Sequence, residues 1–258
     1  MDTKVALVTG AASGMGKICA VRLAQRGVQV AAIDRSADGL AELAQSGDNI
    51  HPHTCDVSDG EQLRRVVANV AENLGEIDRL VHCAAIFPTG KLDSQDEADI
   101  HRLMAVNYGG TVNAVRAVLP QMQARDGGEI VVFGSIGGAV PVPECGAYCA
   151  TKAAVNFFTE VLIEENRHNG VHILLVCPPL VDTPLLQQAT ATGDPKMVRD
   201  SIATRRFADP EDIIDAVESA LASGRSIIYP QFKNRVVAWL RRFSPRLMWR
   251  VLYRASGI

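Results

Sequence analysis

Short apolar runs alternate with amphipathic stretches along most of this chain, and that alternation limits the possible folds more than any single motif. "KVALVTG" (4–10) reads as a buried strand entering a glycine turn, and "GKICAVRLAQRG" (16–27) as a helix stopped at Gly27. "VQVAAID" (28–34) is the next strand, "SDGEQLRRVVANVAENLG" (58–75) a helix capped by Ser58 or Asp59, and "DRLVHCAAI" (78–86) another strand. A long helix is expected over about Glu97–Arg116, followed by a strand over 128–135 and a helix over 147–170. A strand over 171–179 precedes a helix over 210–223, with Pro210 in its first turn, and a last short strand spans 226–230. Strands that are apolar almost throughout are those covered on both faces. In alternation with helices they predict an α/β fold, a doubly wound, Rossmann-like parallel sheet. No stretch rich in Pro, Gly or Ser divides residues 1–230, which are expected to form one domain, with 231–258 as a C-terminal helical extension.

The glycine turn "TGAASGMG" (9–16) lies between a predicted strand and a predicted helix, the setting in which such a pattern is informative. Gly10 permits the tight turn, and Gly14 and Gly16 allow a pyrophosphate to approach the backbone. The helix that follows offers free N–H groups and a partial positive charge to phosphate. Asp34 closes the second strand, 24 residues after Gly10, where a carboxylate can accept both hydroxyls of an adenosine ribose and repel a 2′-phosphate. Ser13 brings no positive charge for such a phosphate. Both features favour NAD over NADP, while Arg35, next in the chain, could tolerate the phosphate. Asp56, in "CDVSD", is expected at the end of the third strand, near where an adenine ring would lie.

From Thr9 onward these segments resemble the classical short-chain dehydrogenase/reductase family, and the resemblance covers residues 4 to about 230. "TGAASGMG" is similar to the family's TGxxxGxG motif, "YCATK" (148–152) to its YxxxK, and "MAVNYGGT" to its asparagine segment at Asn107. Ser135 stands 13 residues before Tyr148, as in the family, and "CPPLVDTPL" (177–185) is similar to its PG-x-V-x-T-P segment. Three positions depart from the pattern. "HCAA" (82–85) replaces the usual NNAG, Pro179 replaces a glycine, and Gly134 replaces the first of two serines.

The resemblance implies a dinucleotide-binding catalytic domain that interconverts a secondary alcohol and a ketone without a metal. It makes Asn107, Ser135, Tyr148 and Lys152 the catalytic residues. Tyr148 would exchange the proton, Ser135 would hold the substrate oxygen, Lys152 would bind the nicotinamide ribose, and Asn107 would hold a relay water. Around the cofactor it implies Gly10, Ser13, Gly14, Met15 and Gly16, then Asp34 and Arg35, then Asp56, Val57 and Ala84. Pro178, Val181 and Thr183 would flank the nicotinamide, together with Tyr148 and Lys152. A free tyrosine has a pKa of about 10. Residues four apart share a helix face, so the Lys152 ammonium is expected near Tyr148, lowering its pKa toward working pH with help from an oxidised nicotinamide. A dinucleotide-binding sensor or scaffold is the alternative, and it would bind NADH without turnover.

On the substrate side, Ser135 and Tyr148 are joined by Val140, Pro141, Val142, Leu185 and Leu186, with Phe87 and Pro88 after the fourth strand. No charged clamp is evident, so the expected substrate is an apolar, steroid-, lipid- or aromatic-like alcohol or ketone. The segment Thr183–Phe207 occupies the place of the family's substrate lid.

The net charge of -3 hides an uneven distribution. Residues 231–258 hold seven basic residues and no acid, leaving 19 basic against 29 acidic residues in the first 230, a balance of -10. Pro245 should split this tail into two helices. In the second, Arg246, Arg250 and Arg254 recur every four residues beside Leu247, Met248, Val251 and Leu252, with Trp239, Trp249 and Tyr253 adding aromatics. Such a tail could lie on an anionic membrane surface, or pack on its own acidic body or a sister subunit. No nucleic-acid reader motif accompanies the charge. Six cysteines without CxxC spacing suggest reduced thiols in the cytoplasm. Cys145 and Cys149 lie four apart but have no further metal ligands nearby, and His51 and His53 read as loop histidines. The N-terminus has no signal-peptide pattern and no apolar run reaches about 18 residues. A homodimer or homotetramer is implied by the family, through the helices around Asn107 and Tyr148.

Overall fold

In the computed structural model, residues 4–256 are described. The first βαβ unit runs from strand β1 (Val5–Thr9) through helix α1 (Gly14–Gln25) to strand β2 (Gln29–Asp34). Helix α2 (Ala37–Ala44), strand β3 (Ile50–Thr54), helix α3 (Gly60–Asn73) and strand β4 (Arg79–His82) follow. Helix α4 (Glu97–Leu103) passes through a π-helical turn (Met104–Gly109) into helix α5 (Gly110–Ala124) and strand β5 (Gly128–Phe133). A 3-10 turn (Ile136–Gly138) leads to the 20-residue helix α6 (Gly146–Glu165) and strand β6 (Val171–Val176). Helices α7 (Leu185–Thr192), α8 (Lys196–Ala203) and α9 (Pro210–Ala222) precede strand β7 (Ile227–Ile228). Helices α10 (Phe232–Phe243) and α11 (Pro245–Ser256) form the tail.

The described strands make one parallel sheet in the order β3-β2-β1-β4-β5-β6-β7. The strand order reverses direction between β1 and β4, which opens a crevice at their C-terminal ends. One face carries Val8, Ala32, Val81 and Val176 against α1, α2 and α9. The other carries Leu7, Ile33, Leu80 and Ile173 against α3, α5 and α6. Alternate residues of one strand feed both cores, which is why β1 and β5 are buried along their whole length. Local chemistry sets the helix starts. Asp59 caps α3 by accepting from Glu61 N and Gln62 N, and Asp209 caps α9 ahead of Pro210.

Four sequence expectations are corrected. The long helix over Glu97–Arg116 is interrupted at Met104–Gly109. There, Asn107 binds backbone outside the helix, and Gly110 is pressed so tightly that a Cβ would stand 2.6 Å from Val57 Cγ2. His51 and His53 are strand residues of β3, and His51 Nε2 pairs with Gln29 Oε1 at 2.8 Å. The fourth strand ends at His82, four residues before Ile86, because the chain there turns to meet Asn107. The helix expected over 147–170 ends at Glu165, where Asn166 N binds back to Leu162 O and Ile163 O.

Candidate active site

The crevice beside the strand-order reversal is a cleft of about 540 Å³. Gly10, Ser13, Gly14, Met15 and Gly16 line one wall. The three glycines have different physical reasons. Gly10 has φ +67°, and its added Cβ would lie 2.8 Å from Ala84 N. Gly14, at φ +52°, faces the Thr183 side chain. A Cβ on Gly16 would stand 2.2 Å from Gly10 O, so Gly16 lets α1 close onto the turn itself rather than onto a ligand. Ser13 ends the turn in extended geometry and makes no side-chain cap, so the first α1 amides are left to a ligand.

Asp34 lies on the cleft wall with both carboxylate oxygens held. Oδ2 accepts from Ala12 N at 3.1 Å and Oδ1 from Ser36 N at 3.0 Å. Arg35, Asp56 and Val57 line the same end, as does Arg102, which the motifs did not single out. Hydrogen bonds from Ser58 hold the Asp56 carboxyl below its ordinary range, with Arg35 and Arg102 adding to the effect. Ala84 and Thr183 complete the expected lining, beside Leu185 and Gln188 of α7. Pro178 and Val181 do not line the cleft. Both are buried, the Pro178 carbonyl accepting from Ile136 N at 3.0 Å and Val181 pairing with Ala208.

Tyr148 and Lys152 sit one turn apart on α6, Lys152 buried and Tyr148 half-buried. Lys152 Nζ donates to Phe133 O at 2.8 Å and stands 6.0 Å from the centre of the Tyr148 ring. Ser135 caps the 3-10 turn, its Oγ accepting from Gly137 N at 3.0 Å, and it hydrogen-bonds the Tyr148 hydroxyl. The electrostatics differ from the sequence expectation. Burial pushes the Tyr148 phenol well above its ordinary value, and the Ser135 hydrogen bond offsets this only in part. Burial likewise lowers Lys152 to about 8. Desolvation, which sequence spacing does not show, outweighs the field of one lysine whose Nζ is turned to a carbonyl.

Asn156 continues the helix face of Tyr148 and Lys152 by one more turn, and sequence reading missed it. Its Oδ1 accepts from Ser135 N at 3.3 Å and its Nδ2 donates to Ser135 O at 2.9 Å. It thereby fixes the backbone that carries the serine. Position 134 is so close that a Cβ there would lie 2.0 Å from Asn156 Oδ1, which accounts for Gly134. Asn107 is buried and both N–H groups of its amide are used. Oδ1 accepts from Ile86 N at 2.8 Å, and Nδ2 donates to Ile86 O and Thr151 Oγ1, each at 3.0 Å. Both amide N–H groups are thus committed, which leaves oxygen lone pairs for the expected relay water. The side chain also ties the π-helical turn to α6 and to the segment after β4.

"HCAA" has its own bonding. Thr9 Oγ1 accepts from Ala84 N at 3.3 Å and hydrogen-bonds His82 Nδ1 at 2.8 Å. Burial, with the charge of Lys152 adding to it, holds His82 down to about 3, so the ring is neutral.

Of the expected substrate residues, Val142, Leu185 and Leu186 gather around Tyr148 with Phe87, Cys145 and Cys149. Phe87 stacks on Tyr148 at 4.0 Å between ring centres. Val140 is buried apart from this cluster, its amide bound to Ile136 O, and Pro141 lies outside it. Helix α7 is stitched over the cleft. Gln188 Oε1 accepts from Phe87 N at 3.0 Å, and Thr192 Oγ1 accepts from Thr89 N at 2.8 Å.

The family described as short chain dehydrogenase matches residues 4–194. The chain is 34% identical over 220 residues to a D-threitol dehydrogenase of Mycolicibacterium smegmatis, covering 84% of this chain and 85% of that one. A short-chain dehydrogenase/reductase from Burkholderia phymatum, solved in complex with NAD, superposes with a TM-score of 0.83 at 26% identity, covering 95% of each chain. The closed form of a serine dehydrogenase complexed with NADP+ gives 0.76 at 28% identity, covering 84% of this chain and 88% of that one.

Proposed function

The chain belongs to the short chain dehydrogenase family of oxidoreductases, and from that premise we propose that it interconverts a secondary alcohol and a ketone, with Tyr148 as general acid and base. The observation that carries the reading is the convergence of Tyr148, Ser135 and Lys152, which do not line the cleft themselves but meet it through Leu185, packed in one cluster with Tyr148 and lining the cleft. The cleft fits a dinucleotide on its own chemistry. Gly10 and Gly14 hold the turn in the left-handed conformation that places it on the cleft wall, α1 presents uncapped amides, and Asp34 offers an anchored carboxylate. When bound, the nicotinamide gives or takes the hydride and, when oxidised, adds a positive charge.

The protein's own residues handle the proton. A phenol held protonated by burial is suited to give its proton to a ketone oxygen at neutral pH. In the opposite direction Tyr148 receives the alcohol proton, with the charge of Lys152 favouring the phenolate. Ser135, clamped by Asn156, hydrogen-bonds the same oxygen and sets its distance from the phenol. Leu185, Leu186, Val142 and Phe87 make the surroundings apolar and favour a hydrophobic substrate. Asp34 favours NAD over NADP, against the nearby Arg35 and Arg102. We further propose a homo-oligomer, dimer or tetramer, since α6 carries Phe157 and Val161 exposed on the face opposite the site. Six free thiols suit a cytoplasmic setting.

The experiment follows NADH formation over a panel of secondary alcohols from small to steroid-sized, with NADP and Tyr148→Phe in parallel. Turnover with NAD that the variant loses supports the reading. NADH binding without turnover in either direction replaces it with a sensor role.

A further inference from the structure

Among the described residues no helix is long and apolar enough to cross a membrane, yet the tail exposes an unusual surface. On α10, Phe232, Val236, Trp239 and Phe243 follow one another at helical spacing and form a single stripe. They are 79%, 45%, 61% and 65% exposed. Arg235 and Arg242 border the stripe on one side and Lys233 on the other, all exposed. Val237, Ala238 and Leu240 are half-buried. Helix α11 folds back on α10 and packs against α8, burying Met248 while Arg246, Leu247, Arg250 and Tyr253 stay exposed. The side chains of Val251, Leu252 and Arg254 lie outside the described residues.

Some cations of the body, Arg22, Arg26, Arg79 and Arg125 among them, are held by its carboxylates. Among the described residues, none of Lys233, Arg235, Arg241, Arg242, Arg246 and Arg250 is within ion-pair distance of a carboxylate. The tail therefore does not use its cations to hold itself to the acidic body. Two copies joined face to face through this surface would set cation against cation. An anionic lipid surface answers both features, taking aromatic side chains at the headgroup boundary and cations at the phosphates.

We propose that α10 and α11 dock the protein on anionic lipid, with Phe232, Val236, Trp239 and Phe243 entering the interface and the flanking cations binding headgroup phosphates. The proposal does not depend on any substrate. It is tested by cosedimentation with vesicles of phosphatidylcholine alone and of phosphatidylcholine with phosphatidylglycerol in equal parts. The chain has two tryptophans, so Trp249→Phe leaves Trp239 as the only indole reporter. Binding to the anionic vesicles, weakened by salt and accompanied by a blue shift of Trp239 emission, is expected. Arg235→Gln with Arg242→Gln should lower affinity about thirtyfold, from roughly fivefold for each cation near an anionic surface. Phe232→Ser with Phe243→Ser should abolish the blue shift while a circular-dichroism melt stays unchanged. No binding to the anionic vesicles, or binding that neither pair of substitutions weakens, overturns the proposal. So does loss of a dimer or tetramer on Phe232→Ser with Phe243→Ser in a protein that ignores both vesicles.

Discussion

Replacing Lys152 by Met should stabilise the fold at neutral pH while removing turnover. Lys152 is fully enclosed, and burial moves its ammonium from an ordinary 10.5 to about 8. The sign follows from proton counting. Below pH 8 both folded and unfolded chains hold the proton, so the cost of burying the charge is fully present. Between about 8 and 10.5 the unfolded chain still holds the proton and the folded chain does not, so stability rises with pH. The cost is roughly 3 kcal/mol at pH 7. Met fills similar space without a charge, but it leaves Phe133 O without the donor it has at 2.8 Å, a loss of about 1 kcal/mol. The variant should therefore be more stable by about 2 kcal/mol at pH 7, or some 4–8 °C in melting temperature for a chain of this size. The difference should vanish by about pH 10. Parallel denaturant melts of both proteins at pH 7 and pH 10 measure it. A stability difference that does not change between the two pH values refutes the reasoning, whatever its sign.

Tyr148→Phe should lower turnover by about 10²–10⁴-fold with dinucleotide binding retained, read by steady-state kinetics beside NADH fluorescence titration. Gly134→Ser, which restores the family's more usual residue, should damage the site, because the new Cβ meets Asn156 Oδ1 at 2.0 Å. Adding Asn156→Ala should recover part of the lost activity, and a double variant no better than Gly134→Ser would exclude this steric cause. Asp34→Ser should raise the use of NADP relative to NAD by about tenfold, measured as the ratio of kcat/KM values. Thr9→Val should destabilise the fold by about 1–3 kcal/mol, because it leaves both His82 Nδ1 and Ala84 N without a partner. A denaturant titration measures that loss.

The parallel sheet was legible because β1, β5 and β6 are covered on both faces and so carry near-continuous apolar runs, Glu129 and His172 standing only near the strand starts. The extent of strand β3 was not, and its His51 and His53 read as loop residues, because it lies at the sheet edge, alternates exposed and half-buried residues, and includes Pro52. The spacing of Tyr148 and Lys152 was legible because one helical turn joins them. Asn156 lies on the same face, yet its role depends on contact with Ser135, which is 21 residues away along the chain. An asparagine inside a helix ordinarily reads as a solvent-facing residue. The direction of the Tyr148 shift was misread for a related reason. Spacing reveals which charge is near, whereas only the packing of Phe87, Val142 and Leu186 reveals how little water surrounds the phenol.

The bridge between Val181 and Ala208 has a consequence for how this protein can change. Asp182 N donates to Ala208 O at 3.3 Å, and Ala208 N donates to Leu180 O at 3.0 Å. The two ends of the segment carrying α7 and α8 are thus fastened to each other at its base, like the neck of a drawstring bag. Closing a loop costs entropy that grows only slowly with its length, and here the closure is already made. Residues within the bag can be exchanged, added or removed while β6 keeps its register and α6 keeps its place. New substrate preferences can therefore arise as local edits on a proton-transfer apparatus that stays fixed.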